Sequence, residues 1–244
     1  MFKKKALVLP GALLCALTLA IQPASALPAS GERGNVAQRQ SDRSQALMAA
    51  QRGLGEYQQR KQHYYAGLSP SHMALDVADV QELSQARIGP GFEMHTVSPQ
   101  ELAAGRTDLS AMATPTGTWR FVVQLGDKPV GLVTVQKTEG RWQAVSFGGA
   151  GLARELDALR QAHGNADGSN LRFIRVYQAQ SDLLEVVSGK DGKARYATLQ
   201  SARDALLRHG LATGAADVNA GLMEAPQLLD PLRTAVSKNM DMLR

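Results

Sequence analysis

The chain has 244 residues, 44% of them hydrophobic and 5% aromatic, with 27 Lys and Arg against 22 Asp and Glu, a formal charge of +5 and one cysteine. That length is enough for one or two buried cores. The composition excludes a wholly disordered chain, a collagen-like repeat, a disulfide scaffold and a multi-span membrane protein.

Residues 1–26 read as a secretory signal peptide. Lys3, Lys4 and Lys5 form a positive start, residues 6–21 are uncharged and mostly apolar, and Ala24-Ser25-Ala26 supplies a small-x-small cleavage site before Leu27. The apolar run contains Pro10 and falls short of the roughly 20 residues that span a bilayer. Leu14 precedes Cys15 where a lipid-attachment signal wants a small residue, which disfavours a lipoprotein. Cleavage after Ala26 removes the cysteine and 3 of the 27 basic residues, leaving 24 against 22. The expected product is periplasmic or extracellular, has no membrane contact after processing, and has no thiol nucleophile, Cys-ligated zinc or iron–sulfur cluster.

Residues 27–40, with Pro28, Gly31 and Gly34, read as a flexible leader, and residues 41–66 as a helical arm whose stripe is Leu47, Ala50, Leu54 and Tyr57. Gly53 and Gly55 are expected to weaken that helix by about 1 kcal/mol each. Residues 67–210 read as an α+β domain. Val77, Val80 and Leu83 suggest a short helix, Gly89-Pro90-Gly91 a turn, and residues 92–97 a strand. Ser98-Pro99-Gln100-Glu101 matches a capping box, so a short helix ends at Gly105 and residues 106–117 form a loop.

Trp119, Phe121, Val123 and Leu125 alternate with Arg120, Val122 and Gln124, a period-2 strand. Turns at residues 126–128 and 138–140 set off two more strands, residues 130–137 and 141–147, and Gly148-Gly149-Ala150-Gly151 leads into a helix ending at His163-Gly164. A similar set comes next: strands at residues 171–178, 183–187 and 194–199, an Asp191-Gly192 hairpin, and a helix capped by Ser201 that ends at His209-Gly210. This looks like a repeated βββα unit. Residues 211–244 read as a connector and a last amphipathic helix with Pro231 in its first turn. The expected fold is α+β: an antiparallel sheet of about six strands, with helices packed on one face and helices at both ends.

Residues 116–149 resemble a segment of exported bacterial proteins to which no activity is assigned. The likeness is carried by Trp119, Pro129-Val130-Gly131 and Gly140-Arg141-Trp142, with Ile88-Gly89, Gly91-Phe92 and Arg172-Phe173-Ile174-Arg175-Val176 on either side. That resemblance implies no reaction. A remoter similarity, to cystatin-like and PepSY-like modules of exported proteins, implies peptide or protease-propeptide binding.

A search for chemistry leaves few candidates. No HxH, HxxxH or HExxH spacing links the five histidines, and Met240 and Met242, with Met223, are too few thioethers for copper(I), so no metal or cofactor is expected. His163 and His209 suit the last carbonyls of their helices. His95, mid-strand, is a weak candidate general base and Ser146 a weak candidate nucleophile, since no G-x-S-x-G or S-x-x-K exists. Gly148, Gly149 and Gly151 form a turn whose N–H groups suit an anion but lack the phosphate-loop pattern. Residues 119–200 carry 11 basic against 8 acidic residues, yet few aromatics interleave, so nucleic acid is not an expected partner. The sequence therefore points to a non-catalytic binding module for a protein, peptide or small anionic ligand, with Trp119, Arg120, Arg141, Trp142, Arg172 and Arg175 as candidate contacts. A hydrolase, or an inhibitor or folding helper of another exported protein, is the alternative.

Overall fold

The computed structural model describes residues 30–64, 73–208 and 221–242. The segment expected as a signal peptide, its expected cleavage site, His72, His209-Gly210 and most of the connector lie outside the described residues. All the strands, and the cleft they form, lie in the unit Gln38–Arg244.

The elements are α1 (Ser30–Tyr64), α2 (Val80–Gln85), β1 (Arg87–Thr96), α3 (Pro99–Ala103), α4 (Leu109–Met112), β2 (Thr114–Leu125), β3 (Lys128–Thr138), β4 (Arg141–Gly148), α5 (Ala150–His163), β5 (Leu171–Val176), β6 (Ser181–Val187), β7 (Ala194–Thr198), α6 (Gln200–Arg208) and α7 (Ala225–Asp241). The fold is α+β, built on one seven-stranded sheet of order β4-β3-β2-β1-β5-β6-β7. The sheet is mixed rather than antiparallel throughout. Two meanders, β2-β3-β4 and β5-β6-β7, flank β1, which runs antiparallel to β2 and parallel to β5.

Helices cover both faces, not one. On β2 the odd residues Trp119, Phe121 and Val123 pack with Val133 and Val135 against Ala46, Ala49, Ala50, Leu54 and Tyr57 of α1. The even residue Val122 packs with Leu132 against Ala153 of α5. The period of two puts these sets on opposite sides. We call them the α1 face and the α5 face. Beyond β1, the α1 face carries α3, α4 and α7, whose Leu102, Leu109, Met112, Leu228 and Leu232 enclose Ile174, Val176, Leu183 and Tyr196.

Helix α1 starts at Ser30, within the segment expected as a leader, and its residues 46–57 pack along the sheet. Bonds four residues apart, Gln38 Nε2 to Asp42 Oδ1 at 3.2 Å and Gln45 Nε2 to Ser41 Oγ at 3.1 Å, tie its turns ahead of the buried stripe. The helix lies close to β4 at Gly53, where a Cβ would come within 2.2 Å of Ala144 Cβ.

Local expectations fared unevenly. Ser98 Oγ accepts from Glu101 N at 3.2 Å with Pro99 opening α3, as the capping pattern requires. Gly89-Pro90-Gly91 does not turn the chain but lies inside β1, and the loop expected at residues 106–117 contains α4 and the start of β2. Ser201 sits within α6 and does not cap it; its hydroxyl donates to Asp182 Oδ2 at 2.9 Å. Pro231 lies well inside α7, not in its first turn.

Candidate functional site

Two half-sheets meet at β1 and β5, and they meet only briefly. The parallel ladder comprises Met94–Phe173, His95–Ile174 and Thr96–Arg175, so the upstream part of β1 has no strand beside it on that edge. A register shift between Ile88 and Gly91 bends β1 there. Gly91 allows the bend, since a Cβ would lie 2.2 Å from Phe121 Cδ1, and Pro90 lacks an N–H that a neighbouring strand would need. The strands diverge and leave a cleft of about 760 Å³. Upstream β1, the start of β5 and the loop at residues 166–170 wall it, with Arg39 and Arg43 of α1 on one side of the sheet and Leu156 and Arg160 of α5 on the other.

On the α1 face the lining is polar. Arg172 stands opposite Glu185 across β5 and β6, and its Nε donates to Glu185 Oε2. Arg172 Nη2 also donates to Ser110 Oγ at 2.6 Å and to Ser110 O at 3.1 Å, anchoring α4. Glu185 is 1% exposed and its other oxygen accepts from Tyr196 OH at 3.3 Å. Burial, then the Glu185 charge, pushes the Tyr196 phenol well above its usual range, so it remains a donor. Glu93 and His95 project beside this network. Burial raises the Glu93 carboxyl, with the nearby Arg39 charge opposing, and Asp42 adds to the rise. Burial, then the Arg172 charge, lowers His95, so its ring favours the neutral form; its Nδ1 lies 3.3 Å from Glu93 O.

Arg39 and Arg43 at the mouth are exposed, and among the described residues neither guanidinium makes a hydrogen bond or ion pair. The other described arginines close to the cleft differ: Arg160 reaches Asp157 at 2.9 Å, and Arg172 holds Glu185. Trp119 forms part of the wall, is 7% exposed, and its indole N–H has no hydrogen-bond partner.

On the α5 face the lining is mainly apolar, Phe92, Val122, Leu156, Leu171, Phe173 and Leu184, beside the Asp157–Arg160 ion pair of α5. Phe92 and Phe173 pack with ring centroids 5.1 Å apart. The register produces this division, because Glu93, His95, Arg172 and Glu185 alternate with Phe92, Met94, Phe173 and Leu184 along their strands.

The residues singled out from sequence scatter over five places. His95, Trp119 and Arg172 line the cleft. Arg120 and Arg175 lie on the opposite face beside Asp182, which Arg175 pairs at 3.0 Å. Arg141 and Trp142 border a separate cavity of about 330 Å³ between α1 and β4, with Arg52 and Glu56. Gly148, Gly149 and Gly151 form the approach to α5, with Gly149 at its N-cap in the left-handed region. Ser146 is exposed on the edge strand β4, outside the cleft. The reading of single residues missed Arg39, Arg43, Glu93 and Glu185. The spacing of Arg39 and Arg43, four apart on a helix, and of Glu93 and His95, two apart on a strand, was there to be read. Glu185 needed the β5–β6 register.

Compared with protein-family models, with curated proteins and with solved structures, the chain matches none. Among the described residues no helix is long and apolar enough to cross a membrane, and no cluster of three or more His, Cys, Asp or Glu side chains is placed to hold a metal.

Proposed function

We propose that the protein is an exported binding module and that its ligand is a small organic anion held in the β1–β5 cleft. Arg39 and Arg43 carry this reading: two guanidinium groups at one mouth without a bonded carboxylate, while Arg160, Arg172, Arg175 and Arg203 each hold one. Guanidinium is suited to bidentate recognition of carboxylate or phosphate. The cleft has the roughly 300–1,000 Å³ of a small-molecule site. Burial disfavours the charged form of both Glu93 and His95 beside that mouth. Export rests on the residue pattern of Lys3–Lys5 and Ala24-Ser25-Ala26. Calorimetric titration against short carboxylates, phosphate and matched cations tests the reading. The expected result is saturable binding of anions that falls at least tenfold in the Arg39→Gln/Arg43→Gln variant. Binding of no anion, or equal binding by that variant, would overturn it.

A second reading, acid–base catalysis in the same cleft, is favoured by one feature. Burial moves the Glu93 and His95 protonation equilibria towards each other, as in sites that hold an acid and a base together at neutral pH. An ester or amide panel tests it: turnover lost in His95→Ala with ligand affinity retained supports a hydrolase, and no turnover by the wild type removes it.

A further inference from the structure

We infer that the ligand of this cleft is an amphipathic carboxylate, an acid head on an unbranched apolar tail, whose head meets Arg39 and Arg43 on the α1 face and whose tail passes between β1 and β5 to lie against α5. The inference rests on the anion reading and adds the body of the ligand to it.

Three observations lead there. Size is the first. A cleft of about 760 Å³ is far larger than an inorganic anion needs, and such an ion would leave the Phe92, Leu171 and Leu156 wall unfilled. The second is the division of the lining. Most of the charged groups lie on the α1 face, while the α5 face is mainly hydrocarbon with its Asp157 and Arg160 paired to each other, and the two linings meet where β1 and β5 pair over three residues and then part. A ligand matched to both must be charged at one end and apolar at the other. The third is the sign of the charge. Of the acidic groups at the polar end, Glu185 is bound by Arg172 and Tyr196, Glu93 is half-buried under the field of Arg39, and the exposed Asp167 accepts from Ser169 N and lies in the field of Arg43. Arg39 and Arg43 are exposed there, and among the described residues neither guanidinium makes a hydrogen bond or ion pair. Phe92 and Leu171 are partly exposed along the cleft, so the apolar wall is accessible to a tail.

Titration of the wild-type protein with butanoate, hexanoate, octanoate and decanoate, below micelle-forming concentrations, tests the inference. Each buried methylene should strengthen binding roughly threefold to fourfold until the cleft is filled. Decanol and decyltrimethylammonium should bind at least tenfold more weakly than decanoate. The Arg39→Gln/Arg43→Gln variant should lose affinity for decanoate but not for decanol. Leu171→Gln should flatten the chain-length dependence; if that variant does not fold, the wild-type series still decides. Binding of short anions with no gain along the series overturns the amphipathic ligand and leaves the anion site standing. Equal binding of the alcohol or the cation overturns the acid head. No binding by any acid overturns both.

Discussion

Glu185 is nearly inaccessible, and its charge is stabilised by Arg172 and Tyr196 alone among the described side chains. Removing a partner from such a pair leaves an uncompensated charge. Glu185→Ala should therefore destabilise the protein by about 3 kcal/mol, the low end of the range because Arg172 keeps 28% of its side chain exposed. Tyr196→Phe, losing one bond to a charged acceptor, should cost about 1.5 kcal/mol. Urea unfolding checks both, and a loss under about 0.5 kcal/mol for Glu185→Ala would show that the network contributes little. The cleft also has a pH signature. The folded state lowers His95 below its usual 6.5. Its contribution to stability is therefore complete above that pH and lost as pH falls through the folded value. Glu93 is raised above 4.5, so its contribution is complete below that pH and lost as pH rises through its folded value. A bound anion favours protonation of both groups. Affinity should accordingly be greater at pH 5.5 than at pH 8, by roughly fivefold for an interaction of about 1 kcal/mol, and Glu93→Gln should reduce that dependence. Affinity that is independent of pH would place the anion elsewhere.

At the scale of single elements, α1 shows what a sequence reading leaves undecided. Gly53 and Gly55 look equivalent, each a weak point in a helix. The structure separates them: a Cβ on Gly53 meets Ala144, while nothing lies within 4 Å of one on Gly55. Gly55→Ala should stabilise by about 1 kcal/mol through helix propensity. Gly53→Ala should destabilise by about 1–3 kcal/mol, because the clash outweighs the propensity gain. Thermal unfolding of the pair decides, and a stabilising Gly53→Ala would contradict the close packing of α1 on β4. The strand β2 was legible because its period of two faces a helix on each side and its apolar residues are large. Gly89-Pro90-Gly91 was misread because turn residues also serve strands whose edge is unpaired, and only the arrangement of β5 reveals that edge. The presence of β5 and β6 could be read from their Val, Ile and Leu content, although the strands run Leu171–Val176 and Ser181–Val187. Their pairing could not, and with it the Arg172–Glu185 bond that organises the cleft was hidden.

Across the whole molecule, two antiparallel meanders share one central strand, and their helices sit on both faces. A parallel junction of three residue pairs is a weak seam in such a sheet. It is also where the lining changes from charged to apolar, and there the proposed ligand sits. The candidate residues read from sequence were dispersed because basic and aromatic side chains at alternate strand positions point to opposite faces. The seam itself is a property of long-range pairing. The two tryptophans of the chain report on it directly. Trp119 lines the cleft, Trp142 borders the separate cavity between α1 and β4, and both indole N–H groups are buried without partners. Titration of ¹⁵N-labelled protein with decanoate, with the two indole resonances assigned by Trp142→Phe, tests the position of the ligand. The Trp119 resonance should move, with the dissociation constant found by calorimetry, while that of Trp142 stays in place. Movement of Trp142 alone, or of neither indole at saturation, would contradict a ligand site between β1 and β5.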